Sequence, residues 1–242
     1  MAYLRYILLF LFLFLGSSCL TSWAQEPSQS KRPRPATAEV PSEPKPFKPR
    51  FMIGATGGAN LSSMTFQPKV QQGKKLGYDA GVILRYDVTS YAGIWLEVDY
   101  SERGWKELPE DYPEYEYERT LKYLHLPVLT HFMVGSGPLK ITVDAGAHFG
   151  YLLGESSRST FPAERPGRVV VRQHTMPVEH KVAWGLGGGV GLEYHVGRHI
   201  VAGLRGSYVY GLGDIYGNSR KDYFGMSNEQ IYSAKAFVFF GF

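Results

Sequence analysis

The chain has 242 residues, in which 26 Lys and Arg stand against 22 Asp and Glu, so its formal net charge is +4. This charge is too small to indicate a nucleic-acid partner, and we expect none. Cys19 is the single cysteine of the chain, so neither a disulfide nor a Cys-ligated metal can hold the fold together.

Residues 1–24 have the pattern of a secretory signal peptide. Arg5 precedes the apolar stretch Ile7 to Leu15, and the small-x-small sequence Ser22-Trp23-Ala24 places the cleavage before Gln25. Removal of this segment takes Arg5 and Cys19 away and leaves a formal charge of +3. We therefore predict an exported protein.

Two alternatives exist for this N-terminal segment. A transmembrane helix would need roughly 20 apolar residues to span the hydrocarbon, and the apolar stretch has about half of them. Lipoprotein processing at Cys19 would need an apolar residue such as Leu three positions earlier, where Gly16 stands. The signal peptide is the interpretation that fits both observations.

Residues 25–50 are rich in proline and poor in large apolar side chains. Such a segment cannot bury a core, so we expect an extended linker with polyproline II character. Its basic cluster of Lys31, Arg32 and Arg34 has two interpretations: contact with a polyanion such as the cell wall, or a solvated tether, which we favour.

From Phe51 to Phe242, apolar and polar residues alternate in one segment after another. In Lys140 to Tyr151, one parity is wholly apolar and the other carries polar residues and glycine. Successive side chains of a strand point to opposite faces, so this pattern predicts strands with one apolar and one polar face. We expect strands of about 10 to 14 residues, enough to cross a bilayer when tilted. There are eight, centred near residues 55, 82, 98, 126, 145, 188, 206 and 236.

The connections between these strands alternate in length. Short turns are predicted near 89–92, 135–138 and 196–198, and long polar loops at 62–75, 106–116, 154–178 and 213–227. Outer-membrane barrels have tight periplasmic turns and long external loops, whereas a soluble β-sandwich, the alternative, does not explain the alternation. We therefore predict an all-β fold: an eight-stranded antiparallel up-and-down transmembrane β-barrel at residues 51–242, in the outer membrane of a Gram-negative envelope, with the linker in the periplasm.

Aromatic residues on the apolar parity favour a membrane setting, because such rings form girdles at the two lipid interfaces of membrane barrels. The last strand ends on Phe242, the aromatic terminus that outer-membrane barrels carry, and we interpret it as the signal read by the barrel assembly machinery. The eight aromatic residues that we expect to face outer-membrane lipid are Tyr78, Tyr86, Tyr100, Trp184, Tyr194, Tyr208, Tyr210 and Phe240.

The polar parity carries charges of both signs, which we expect to line the lumen. An eight-stranded barrel is just wide enough to be filled by side chains, so opposite charges should pair and plug it. Arg85 is expected opposite or diagonal to Glu97. A glycine stripe from Gly185 to Gly191 should let Arg205 fold across it, with a narrow water path as the alternative. The predicted lumen charge network comprises Asp79, Arg85, Glu97, Asp99, Arg103, Lys140, Asp144, Lys181, Glu193, Arg205 and Lys235.

Candidate catalytic and cofactor motifs are weak. The glycine run on the sixth strand does not match the GxGxxG spacing, and no helix follows it. Asp144 and His148 share a face but lie about 13 Å apart along one strand. His195 and His199 flank a turn without a third metal ligand. We therefore predict no catalytic residue, no cofactor and no metal site.

Two of the predicted loops carry opposite charges. The segment Lys106 to Arg119 is rich in Glu, Asp and Tyr, whereas the loop after Gly154 contains several arginines. Because the two loops flank one strand pair, one interpretation is that they clasp over the external mouth. The other is independently solvated loops, since exposed ion pairs contribute little. The arginines concerned are Arg158, Arg165, Arg168 and Arg172.

Five segments spread over most of the predicted strands share a further pattern. They are Phe51-x-Ile-Gly-x-x-Gly-Gly-x-Asn60-Leu61-Ser62, Gly77-Tyr78-x-Ala80-Gly81, Glu97-x-x-Tyr100-Ser101-x-Arg103-Gly104, Tyr123-Leu124-x-Leu126-Pro127-Val128-Leu129 and Gly187-Gly188-Gly189-Val190-Gly191-Leu192-Glu193. In these segments the chain resembles the PorT-like "porin family" of small outer-membrane barrels from Bacteroidota. The resemblance covers roughly residues 51–242 and implies the barrel fold, without catalytic residues. Most such members have no assigned role, and the namesake serves the gliding and type IX secretion apparatus.

Three classes of function remain. We favour a non-enzymatic barrel with a largely plugged lumen, which anchors, binds or assembles through its external loops and periplasmic tail, with envelope or secretion-complex proteins as partners. The second class is a narrow porin for small solutes. The third is a barrel enzyme acting on lipid or peptide, which the lack of an external His/Asp/Ser cluster disfavours.

Overall fold

The computed structural model describes residues 47–107, 116–160, 172–197, 199–218 and 222–242. The predicted signal peptide and almost all of the predicted linker lie outside the described residues. So do Arg165 and Arg168 of the predicted loop clasp.

The described chain forms long β-strands with one short helix. Eight of the strands have 13 to 21 residues, and the ninth, β2, has two. The elements are β1 (Arg50–Gln67), β2 (Gln72–Gly73), β3 (Lys75–Asp87), β4 (Ala92–Glu107), β5 (Tyr117–Val134), β6 (Leu139–Ser159), α1 (Arg172–Thr175), β7 (Val182–Val196), β8 (Ile200–Asp214) and β9 (Met226–Gly241).

The long strands close into a barrel. Each pairs antiparallel with its neighbours in sequence, and β1 also pairs with β9 from Met52↔Gly241 to Gln67↔Met226, which removes both sheet edges. β2 adds a two-residue ladder to β4. The predicted eight-stranded antiparallel barrel is therefore confirmed, with β2 as a small addition.

The strands extend further than predicted at one end of the barrel, so the long loops are shorter than expected. The polar residues of these strand ends were interpreted as loop. They belong to strands because their neighbours, such as Phe66 and Leu121, point inward and pack in the barrel interior. Burial of these side chains keeps the ladder going beyond the apolar outer band.

The three short turns fall where they were predicted. They occupy residues 88–91, 135–138 and the segment around 197. Gly135, Gly137 and Gly197 have positive φ, which side-chain-bearing residues rarely adopt. We call this end of the barrel the short-turn end and the opposite end the long-loop end.

The outer face of the barrel is apolar and exposed. Val82, Ile141 and Leu204 are typical, with 54%, 58% and 65% of their surface exposed. All eight predicted lipid-facing aromatics lie on this face, with Tyr100 the least exposed. Phe242 follows β9, and its N–H donates to the carbonyl of Phe51 at 3.2 Å. No helix among the described residues is long and apolar enough to cross a membrane.

Candidate functional site: the barrel interior

The barrel interior is filled by side chains from all eight long strands. Two apolar clusters lie inside it, one toward each end, and buried charges lie between and beside them. The short-turn cluster consists of Met52, Ile83, Trp95, Leu129, Val201, Phe237 and Phe239. The long-loop cluster consists of Met64, Phe66, Trp105, Tyr117, Leu121, Tyr123, Leu152, Val178, Ile215, Tyr216 and Phe224.

Lys235 is the centre of the buried charges. Its ammonium lies 2.5 Å from Asp99 Oδ2, 2.8 Å from Glu97 Oε1 and 3.7 Å from Asp79 Oδ2. Lys235 comes from β9 and the two nearest carboxylates from β4, so the contact spans the lumen. One cation thus holds three carboxylates from two strands.

Arg205 is the second central cation. It stands opposite Lys235 in the β8–β9 ladder, where two like charges alone would repel. Its guanidinium lies 3.3 Å from Glu97 and 3.6 Å from Asp144, and its Cζ is 5.2 Å from the centroid of the Trp95 ring. Glu97 therefore bridges both cations, which offsets their mutual repulsion.

Arg205 of β8 lies across the glycine stripe, as predicted. Its guanidinium is 3.6 Å from Asp144 of β6, and β7 lies between these two strands, with Gly191 opposite Arg205 and Gly189 opposite Asp144. His148 also approaches the stripe, since a Cβ on Gly187 would lie only 2.6 Å from its Nε2. The absence of a side chain at Gly187 thus makes room for a histidine.

Arg85 forms a second group of ion pairs toward the short-turn end. Glu97 lies diagonal to it in the β3–β4 register, as expected, but the guanidinium pairs with Glu193 at 2.6 Å and Asp87 at 2.9 Å. It also lies over the Phe239 ring at 4.9 Å. The expected Arg85–Glu97 pair is replaced because Glu97 is already engaged by Lys235 and Arg205.

Three lumen histidines are missing from the predicted network, of which His148 was considered only as a dyad partner of Asp144. His131 lies between two carboxylates, with Nδ1 2.5 Å from Asp144 Oδ1 and Nε2 3.3 Å from Glu193 Oε1. His125 and His148 stack with ring centroids 5.3 Å apart. A signal for them is present in the sequence, because His125 and His131 fall on the inward parity of β5 and His148 on that of β6.

The remaining predicted network residues fall into two groups. Arg103 pairs with Glu229 at 3.1 Å, and its guanidinium covers the Tyr123 ring at 4.5 Å. Lys140 and Lys181 lie apart from the network, and neither has an ion pair within the described part of the chain. The expectation for these two lysines is corrected, because each stands at a strand end, where its ammonium reaches solvent.

Residues that bury the network also close the long-loop end. Phe66 packs against Trp105 and Phe224 with ring centroids 5.3 and 4.9 Å apart. Burial raises the pKa of the Tyr216 phenol, so it stays neutral and accepts a hydrogen bond of 3.1 Å from Arg119. Arg119 also pairs with Glu155 at 2.5 Å.

The two loops for which a clasp was one of two interpretations are in contact through a histidine. His174 of α1 stacks on Tyr117 with ring centroids 3.6 Å apart, and its Nε2 is 2.8 Å from Glu107. Arg158 is exposed and lies opposite Glu118 in the β5–β6 ladder. The segment after β6 thus contacts the ends of β4 and β5, by stacking as well as by charge.

Two small cavities lie inside the buried charges. Each has a volume of about 10 Å³, which is about enough for one water molecule. Both are lined by Arg103, His125 and His148. The side chains therefore leave only water-sized spaces at this level of the lumen.

No three His, Cys, Asp or Glu side chains in the described ranges are placed to share a metal ion. His195 contacts Glu193 at 3.5 Å, and His199 is exposed. The chemistry that this interior supports is electrostatic pairing and packing.

Comparisons with known proteins identify the fold. A family model described as "Outer membrane protein beta-barrel domain" matches residues 23–217. Similar solved structures include OprG from Pseudomonas aeruginosa (13% identity, 80% of this chain and 95% of that one, TM-score 0.46) and Neisserial surface protein A (15%, 78% and 96%, 0.44). Ail from Yersinia pestis is similar at 14% identity over 79% of this chain and 99% of that one, with a TM-score of 0.39. No curated protein matches the chain.

Proposed function

Because the chain belongs to the outer membrane protein beta-barrel domain family and its place is the lipid of the outer membrane, we propose that it is a non-enzymatic barrel with a closed lumen. In this proposal it acts as an envelope anchor, binding or assembly protein. The working parts are the long-loop end and the N-terminal linker, and the partners are envelope or secretion-complex proteins.

The observation that carries the proposal is the filled interior. Lys235 crosses the lumen to Glu97 and Asp99, so a conducting path would have to break buried ion pairs. Breaking a buried pair leaves an uncompensated charge, which costs on the order of 3–5 kcal/mol. The short-turn cluster adds rings in contact, with Trp95 and Phe239 centroids 4.8 Å apart. Both features favour an interior filled by side chains over an open pore.

The proposal includes an orientation. The short-turn end, where β1 begins, faces the periplasm, so the N-terminal linker is periplasmic in this proposal, and the long-loop end faces outward. Phe242 lies at the short-turn end, exposed and available for the barrel assembly machinery before insertion. Presentation of the loops at the outer surface gives the barrel its binding role.

A narrow porin is the second candidate. The observation in its favour is the pair of water-sized cavities in the lumen, one of which is lined by Gly185 of the glycine-rich β7. Each is only about 10 Å³, so side chains would have to move before a solute could pass.

Conductance of purified protein in planar bilayers separates the two candidates. We expect the wild type to be silent and the inward double variant Trp95→Ala/Phe239→Ala to show openings. The matched outward variant Tyr86→Ala/Phe240→Ala should stay silent, because its side chains face lipid. Steady conductance of the inserted wild type would contradict the closed barrel and support the narrow porin.

The binding role is tested by photo-crosslinking in intact envelopes. A crosslinker at Glu116 or Ser157, both exposed at the long-loop end, should capture a protein partner. A crosslinker at Val190, on the outer face, should capture lipid only. Equal protein capture at all three positions would count against a specific role for the loops.

A further inference from the structure

The hydrogen-bond ladder between β7 and β8 has a gap near the long-loop end, which we call the window. Their ladder runs from Val196↔Ile200 up to Gly185↔Gly211 and stops there. Val182 to Trp184 continue on the β6 side, while β8 continues to Asp214. The two strands are joined again only above this window, where the N–H groups of Glu179 and His180 donate to the carbonyl of Ile215 at 3.0 and 3.2 Å.

Trp184 lies across this window. A Cβ on Gly213 would lie 3.0 Å from the indole Cδ1 and 3.1 Å from Nε1, so any larger residue at this position would crowd the indole. The indole remains half exposed on the outer face. The result is an open groove of about 660 Å³ outside the wall, which we call the β7–β8 groove; it is lined by Glu179, His180, Lys181, Val182, Trp184, Leu212, Gly213, Asp214 and Asn218.

The β7–β8 groove has two chemically distinct parts. Its floor consists of Val182, Trp184 and Leu212, which continue the apolar outer band. Its rim consists of polar residues at the point where the other strands also change from apolar to polar, as at Tyr100 and Glu102 on β4. The groove therefore straddles the boundary between hydrocarbon and water, where amphiphiles have their own polar–apolar junction.

The rim is built and held in place. Asp214 accepts hydrogen bonds from the Ser227 N–H at 2.5 Å and from the Asn218 side chain at 2.8 Å. His180 Nδ1 donates to the Asp214 carbonyl at 2.9 Å, which leaves Nε2 as an acceptor in the neutral ring. Several polar atoms are thus fixed around one opening rather than carried on independent side chains.

The charges of the rim select the kind of headgroup. Among the described lining residues, Lys181 supplies one positive charge, and Glu179 and Asp214 supply two negative ones. A phosphate or carboxylate headgroup would meet this excess of negative charge. An uncharged polyhydroxyl headgroup meets both donors, on Lys181 and Asn218, and acceptors, on Glu179 and His180, and each hydroxyl can use both.

From these observations we propose that the β7–β8 groove binds one amphiphile with a sugar-like headgroup, its apolar chain on Trp184 and Leu212 and its hydroxyls at the polar rim. The flat face of Trp184 also suits the C–H face of a sugar ring. A volume of this size is in the range of small-molecule sites. The proposed occupant is a glycolipid of the outer leaflet. A free saccharide is the alternative, and the maltose probe distinguishes the two.

The test is native mass spectrometry of the full-length exported protein, released from a non-sugar detergent and offered three probes at equal concentration. The probes are dodecyl maltoside, dodecylphosphocholine and maltose. We expect one retained dodecyl maltoside per chain, at least tenfold weaker retention of dodecylphosphocholine, and no retained maltose. Equal retention of the two alkyl probes, or of maltose alone, would overturn the proposal.

Two tryptophan substitutions on the same strand complete the design. Leu212→Trp fills the groove floor and should reduce dodecyl maltoside retention at least tenfold, whereas Leu204→Trp, exposed on the same face outside the groove, should leave it unchanged. Equal retention by both variants would overturn the proposal. The quenching of Trp184 fluorescence by a brominated alkyl maltoside, taken as the difference between wild type and Trp184→Phe, gives a second readout if a variant folds poorly.

This inference rests on the membrane setting of the barrel and not on the closed lumen. A conducting wild type would overturn the proposed function and leave probe retention unchanged. Loss of specific retention in a silent barrel would overturn only the present proposal.

Discussion

The buried charges around Lys235 and the short-turn cluster around Trp95 close the same lumen by different physical means. Lys235 holds Asp79, Glu97 and Asp99, so each member depends on the presence of another. The rings of the short-turn cluster are stabilised by area and shape, to which each neighbour contributes a share. The charges therefore supply specificity of pairing across the lumen, and the rings supply dry, dense packing.

This difference has a consequence for substitutions. Loss of one cation leaves buried carboxylates with too few counter-charges, which costs more free energy than the intact pair contributes. Loss of one apolar side chain removes its contacts and leaves a cavity that neighbours partly fill. The following substitutions test whether the two regions differ in this way.

The largest effect is expected for Lys235→Ala. It leaves Glu97 and Asp99 short of a cation, and we expect the free energy of unfolding to fall by about 4 kcal/mol. Urea unfolding in lipid vesicles, followed by loss of the heat-modifiable band, measures it. Lys140→Ala is the control and should change little, because Lys140 is partly exposed at a strand end.

A compensated variant sharpens this prediction. Lys235→Met combined with Asp99→Asn removes the cation together with its nearest carboxylate and leaves Glu97 paired with Arg205, so it should recover at least half of the lost stability. No recovery would mean that packing of the lysine, rather than its charge, matters at the centre of the lumen.

In the short-turn cluster, Leu129→Ala should lower the free energy of unfolding by about 3 kcal/mol through the lost contacts and the cavity left behind. Leu126, three residues earlier on the same strand, is 41% exposed on the outer face. Leu126→Ala should therefore have a much smaller effect in the same vesicle assay. Equal losses would contradict the assignment of inner and outer faces on β5.

A smaller fall in the free energy of unfolding is expected for a substitution at Gly187 on the glycine-rich strand β7. Gly187→Ala places a Cβ 2.6 Å from His148 Nε2 and 2.8 Å from the Tyr208 carbonyl oxygen, and overpacking of this kind costs about 2 kcal/mol. A Cβ on Gly206 would meet no atom within 4 Å, so Gly206→Ala is the matched control. Equal stability of the two variants would show that His148 does not occupy the stripe.

The smallest global effect is expected at the long-loop end. His174→Ala removes the stack on Tyr117 and the hydrogen bond to Glu107, worth about 1 kcal/mol together. The readout is the rate of proteolysis in the segment after β6, which should rise while barrel stability stays nearly constant. His199→Ala, which changes an exposed residue at a short turn, is the control. An unchanged rate of proteolysis in His174→Ala would show that the contact of His174 does not hold this segment.

The inner and outer faces were predictable because they follow from alternation along each strand. Val82 and Asp79 belong to opposite parities, and no tertiary information is needed to assign them. Closure by β1 and β9 was also predictable from the alternation of short and long connections. The positions of the strand ends were not predictable in this way, because inward-pointing residues such as Phe66 and Leu121 extend the strands beyond the apolar outer band.

The pairing of lumen charges was not predictable. Glu97 contacts Lys235 and Arg205, which are more than 100 positions away in the chain, and not its diagonal neighbour Arg85. Which side chains meet across the lumen depends on the stagger of all eight strands, a property that no single hairpin contains. The β7–β8 groove was not predictable for a similar reason, because it lies where the hydrogen-bond ladder between these two strands ends.

The central claim is that the middle of the lumen is closed to solvent, and cysteine accessibility tests it most directly. Ser101 points inward beside one of the small cavities and is 2% exposed, whereas Ser157 is exposed at the long-loop end. In intact outer membranes, a membrane-impermeant maleimide should label Ser157→Cys rapidly and leave Ser101→Cys unlabelled until the barrel is unfolded. Comparable labelling of both folded variants would show a water-filled passage and contradict the account.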